Sequence, residues 1–183
     1  WTSDVILGTC YALVAAERDL KGAANLSINL SLGGDNPTSI LADILKDAND
    51  LGATASASAG NDGATGVPHY PAAYSSAVAP DGLLAVGSVQ FNASAWEAWP
   101  DSTPGTYIDI AAPHTSPLTG SVGSSYSTGL LSGSAAVLRG LFPNLTAAEL
   151  ETCIWLGAQE PFYPSPNVGE GMLNIAKAVS SCR

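Results

Sequence analysis

Gly123-Ser124-Ser125-Tyr126-Ser127-Thr128, running directly into the small-residue segment Gly129 to Leu138 (GLLSGSAAVL), is the stretch on which the fold reading turns. A serine behind a tight glycine turn, at the opening of an Ala/Gly/Ser-rich helix, sets a hydroxyl at the positive end of the helix dipole. Small neighbours let such a helix pack close to a sheet. Ser125 is therefore the candidate nucleophile, although a Ser/Gly loop that only caps a helix has the same appearance.

Working outward, the chain alternates between helical and strand patterns. Ser3 is expected to cap a helix carrying Val5, Ile6, Leu13 and Val14 and ending near Gly22. Leu26, Ile28 and Leu30 alternate with Ser27 and Asn29 as in a strand that runs into Ser31-Leu32-Gly33-Gly34. A helix over Ser39 to Leu51 puts Ile40, Leu41, Ile44, Leu45 and Ala48 on one face. A strand over Thr54 to Ala59 ends at Gly60-Asn61-Asp62-Gly63, and further strands are expected at Leu83 to Val89 and Tyr107 to Ile110. Thr146 and Glu149 have capping-box spacing for a helix over Ala147 to Leu156, and Met172 to Val179 reads as the last helix. This alternation predicts an α/β fold, a parallel β-sheet flanked by helices on both faces. In such sheets functional loops gather at the carboxyl ends of the strands, so the Gly33, Asn61 and Ser125 turns can converge.

Three of these segments together resemble the subtilisin-like serine proteases. Ser27 to Gly34 (SINLSLGG) is similar to that family's substrate-binding strand, Ala57 to Gly63 (ASAGNDG) to its oxyanion-asparagine loop, and Gly123 to Thr128 (GSSYST) to its nucleophile motif. Tyr70-Pro71-Ala72, Leu84 to Val89, Ile110 to Pro113 and Gly169 to Asn174 look like further family landmarks. The resemblance implies that Ser125 attacks the scissile carbonyl. Asn61 would supply a side-chain amide, and Ser125 its own N–H, to the oxyanion that forms. It also implies a substrate cleft with Ser31, Leu32, Gly33 and Gly34 as one wall and Ser58, Ala59 and Gly60 as the other. An extended peptide would pair there like an added strand, with a medium apolar side chain between the walls.

The resemblance is incomplete. An alcohol needs a base to take its proton and an acid to orient that base, and in the family both precede the Ser31-type segment. No histidine precedes Ser31 here. The two histidines, His69 and His114, and the carboxylates Asp4, Asp19 and Asp35 are read as loop or surface residues. Gly129 stands where the family usually has proline. The expectation is thus a single domain over 1–183, the C-terminal two-thirds of a subtilisin-like catalytic domain lacking its N-terminal part, with a companion chain supplying Asp and His. The alternatives are a non-catalytic relative that binds peptides or proteins and an unrelated α/β binding module such as a lectin.

Bulk properties narrow the partners. Six Lys+Arg against sixteen Asp+Glu give a net charge of −10, which repels phosphate backbones and anionic lipid surfaces. Neither nucleic acid nor membrane is an expected partner, and the longest apolar stretches fall short of a bilayer span. A peptide or protein substrate is. The sparse charge, 12% of residues, fits a secreted protein, in which the sequons at Asn25, Asn92 and Asn144 could carry glycans; the one at Asn29 lies on a strand expected to be buried. The chain begins at Trp1 without an initiator methionine, which is read as removal or omission of preceding sequence. Of three cysteines, Cys153 and Cys182 are expected to pair because both fall on C-terminal helices, with Cys10 distant in sequence. Three reduced thiols are the other possibility. No Cys/His spacing suggests zinc, and no metal or cofactor is implied.

Overall fold

The computed structural model describes residues 2–20, 22–63, 66–75, 81–160 and 166–182. Four strands form a parallel array in which β1 (Ser27–Leu30) pairs with β2 (Thr54–Ser58) and β2 with β3 (Leu83–Asn92), which in turn pairs with β5 (Ile110–Pro113). The fifth strand, β4 (Ala95–Ala98), runs antiparallel to the far end of β3.

Strand periodicity divides the core into two layers, because neighbouring side chains on a strand point to opposite faces. Ile28, Leu30, Ala55, Ala57, Leu83 and Ala85 pack with Leu13 of α1 (Thr2–Asp19) and with Leu41, Leu45 and Ala48 of α2 (Ser39–Asp50). Leu84, Val86 and Ile110 face the other way. They meet Leu131, Ala135 and Leu138 of α3 (Ser124–Leu141), Leu150 and Ile154 of α4 (Ala147–Gly157) and Ala178 of α5 (Ile175–Ser181). Helices on both faces of a parallel sheet are what the alternation predicted.

Small residues let α3 approach this sheet closely. Ser27 Oγ on β1 donates to the carbonyl of Ser132 at 3.1 Å, and the buried Ser127 hydroxyl lies 2.8 Å from Ser88 Oγ on β3 and 2.9 Å from the Ala112 carbonyl on β5. Three hydroxyls thereby pin one helix across the sheet. The expected capping box also forms, with Thr146 Oγ1 accepting from Glu149 N and the Glu149 carboxylate accepting from Thr146 N. Cys153 and Cys182 form a disulfide with Cα atoms 5.1 Å apart, tying α4 to the end of α5, while Cys10 is a free thiol on α1.

Several boundaries differ from the sequence reading. The first helix includes Thr2 and Ser3, so Ser3 is no cap, and Val14 and Ile40 are exposed rather than in the core. The last parallel strand starts at Ile110, not Tyr107, because Tyr107 leaves the ladder to pack against the first core layer and accept from His69 N. The hairpin to β4 was not expected from its Ala/Ser-rich sequence; Phe91 and Trp96 hold it edge to face at 5.4 Å. The last helix starts at Ile175, where Asn174 Oδ1 accepts from Lys177 N, and Met172 instead bonds through its backbone to Gln159. Asn29, expected to be buried, is exposed at the edge of the sheet and donates to Ser31 Oγ.

Candidate active site

Three loops that leave the carboxyl ends of β1, β2 and β5 bring the site together. The β2 loop carries Asn61, and its shape is held by partners far along the chain. Thr103 N donates to Gly60 O, Asp62 N donates to Thr103 Oγ1 and Gly63 N donates to Asp101 O. Gly60, at φ 105°, occupies backbone space that side chains rarely tolerate; Asn61 itself does not take a left-handed conformation. The β5 loop returns through a bond from Gly123 N to His114 O, and α3 starts at Ser124.

Asn61 and Ser125 meet at this junction. Asn61 Oδ1 accepts from Ser124 N at 2.8 Å, which ties the Asn61 side chain to the start of α3. A side chain built at Gly123 would begin 3.8 Å from Asn61 Oδ1, 3.9 Å from Asn61 Nδ2 and 3.9 Å from Ser125 N. Glycine at 123 thus leaves a small space flanked by a carboxamide and a backbone donor. As the second residue of α3, Ser125 has an N–H with no intrahelical acceptor, and it sits at the positive end of the helix dipole. The Asn61 amide nitrogen and the Ser125 N–H are the two donors beside that space, with Asn61 Oδ1 engaged by Ser124 N.

The Ser125 hydroxyl is half-exposed and donates to Ser31 O at 3.4 Å, while Ser31 Oγ donates to Ser125 O at 2.8 Å. This reciprocal pair fixes the end of β1 against the start of α3. Ser31, Leu32, Gly33 and Gly34 are half-exposed, whereas Ser58, Ala59 and Gly60 are buried, and Ser58 Oγ reaches the Leu32 carbonyl at 3.5 Å. The segment behind them is anchored by two backbone bonds between Gly34 and Tyr70.

Neither histidine bonds to Ser125. His114 stacks on Trp99 at 4.9 Å, its Nδ1 3.2 Å from Val89 O. His69 lies between Gly33 and Gly60, and burial pushes its pKa below the ordinary histidine value despite the opposing charges of Asp62 and Asp35. Asp4, Asp19 and Asp35 are on the surface, Asp19 in an ion pair with Arg18. Sequence reasoning did not anticipate the part played by Thr103, Ser88 or Ser127, and a lone Ser or Thr in such a polar chain carries no signal of its role.

The subtilase family model matches residues 15–172, more than four-fifths of the chain and all three loops. The chain belongs to the subtilase family. It is 31% identical over 167 residues to a subtilisin of Bacillus pumilus, covering 82% of this chain and 55% of that protein. Among solved structures, the subtilase cytotoxin SubAB superposes with a TM-score of 0.68 at 27% identity, covering 85% of this chain and 58% of that one. Proteases from Pseudoalteromonas arctica share the fold with a TM-score of 0.72 at 23% identity, covering 85% and 51%. The subtilase described here spans about half the length of the curated relatives it matches.

Proposed function

We propose that this subtilase is the serine-bearing part of a secreted serine endopeptidase, the C-terminal two-thirds of its catalytic domain. Ser125 attacks the peptide carbonyl, and Asn61 with the Ser125 N–H stabilises the oxyanion. The observation that carries this reading is that the Asn61 carboxamide and the Ser125 N–H border the same space left by Gly123, with Asn61 bonded to Ser124 N.

A base and its orienting acid come from a companion segment. Two features support a docking place for it. The outer edge of β1 has no ladder partner among the described residues, and a free edge is a template for another strand. Beside it, the outward face of α3 presents Gly129, Leu130, Gly133, Ala136, Val137, Gly140 and Leu141 without a single charge. A helix already committed to the core on its other side exposes such a stripe where something else covers it. Secretion agrees with the disulfide.

A fluorophosphonate reacts quickly only with a base-activated serine. Labelling at Ser125, lost in Ser125→Ala and accompanied by a second polypeptide in the intact mass, is the expected result. A lone 18.5 kDa species without labelling would refute the proposal in favour of a non-catalytic binding relative.

A further inference from the structure

The imidazole of His69 stands between the two walls of the candidate cleft. A Cβ on Gly33 would fall 2.2 Å from His69 Cδ2 and Nε2, and one on Gly60 would fall 3.0 Å from Nδ1 and 3.1 Å from Cγ. The ring therefore fills the gap that those two glycines leave open, one glycine from each wall. Its backbone has little freedom to withdraw, since His69 N donates to Tyr107 Oη, His69 O accepts from Ala73 N, and the adjoining Tyr70 is paired in both directions with Gly34. The buried Thr103 hydroxyl closes the space beside Gly60, 2.7 Å from where a side chain would start. Nδ1 is buried and has no hydrogen-bond partner.

We infer that His69 is a specificity-determining residue: its ring blocks the deep end of the cleft and limits the substrate side chain beside the scissile carbonyl to Gly, Ala or Ser. The inference rests on the endopeptidase reading for the position of that carbonyl, near Asn61 and Ser125. From there the side chain points between Ser31 to Gly34 and Ser58 to Gly60, where an open slot would accept a medium apolar group. An aromatic side chain meets the imidazole instead.

The test is binding of two product-like peptides, acyl-Ala-Ala-Pro-Ala and acyl-Ala-Ala-Pro-Phe, to the isolated protein with any companion polypeptide retained. The unaltered protein should favour the Ala-ending peptide about tenfold or more, and His69→Gly should invert the ratio. His69→Ala, which keeps an ordinary backbone at that position, should move the ratio in the same direction, and circular dichroism checks that both variants are folded. An unchanged ratio in both folded variants overturns the inference, as does failure of every form to bind either peptide. Fluorophosphonate labelling, which needs no side chain in the cleft, separates the two failures. Labelling with an unmoved ratio removes His69 and keeps the protease; an inverted ratio without labelling keeps His69 as gatekeeper of a peptide-binding cleft.

Discussion

Glu151 is buried completely, and replacing it with glutamine should flatten the loss of stability at alkaline pH. Its Oε2 accepts from Asp81 N at 2.9 Å and Gly82 N at 2.7 Å, joining α4 to the loop that enters β3, while Oε1 has no partner. Burial pushes its pKa up to about 9, and the charge of Asp109 pushes the same way, against the two N–H bonds. Burial likewise raises Asp109 to about 7, opposed by bonds from Ser75 and Ala85. Both acids hold their protons more tightly in the folded chain than in the unfolded one. The contribution of these two acids to stability is therefore full below the ordinary carboxylate range and is lost as pH rises, through about 7 for Asp109 and about 9 for Glu151. Between pH 7 and 9 Glu151 is the steeper contributor, at up to about 1.4 kcal/mol per pH unit, or a ceiling of about 3 kcal/mol across the window. For a domain of this size that corresponds to a fall in Tm of roughly 5–10 °C. Glu151→Gln retains an oxygen for the two N–H groups and loses only the charge. Thermal unfolding at pH 7, 8 and 9 should show a steep decline in the unaltered protein and a shallow one in the variant, whatever their offset at pH 7. Parallel declines would refute the argument.

Other expectations follow from the same contacts. On the proposed endopeptidase reading, Asn61→Ala should slow reaction at Ser125 by roughly 10²–10³, the figure known for one such donor in a subtilisin; kcat against a peptide ester checks it. Ser127→Ala removes a buried hydroxyl that reaches Ser88, Ala112 and Pro113, and should cost about 1–2 kcal/mol in denaturant unfolding while leaving the disulfide intact. Opening the Cys153–Cys182 bond frees a loop with a sequence separation of 29, worth about 3–4 kcal/mol by chain entropy. Reduction should lower Tm accordingly, and alkylation without reductant should modify Cys10 alone.

Local patterning was enough for the architecture and for the three loops. Alternation at Leu26 to Leu30, the helical spacing of Leu41, Leu45 and Ala48, and the Thr146/Glu149 cap are written within a few residues of themselves, so they survive reading without a fold. The Ser31, Asn61 and Ser125 turns were legible for a related reason, since glycine marks places where backbone geometry excludes side chains. The β4 hairpin was not, because three of its four residues, Ala95, Glu97 and Ala98, disfavour strands and only pairing with β3 makes them one.

Tertiary structure alone decided which polar groups matter at the junction. Ser88, Ser127 and Thr103 are common residues, and they become supports only because crossovers through the sheet bring them to α3 and to the Asn61 loop. His69 shows the same limit: from its neighbours in sequence it is a loop histidine, and from its neighbours in space it is a plug between Gly33 and Gly60. The physical reason is range. Propensity and capping act over one turn or one strand, whereas the contents of a cleft are set by chain segments dozens of residues apart, whose distances only the packed sheet determines.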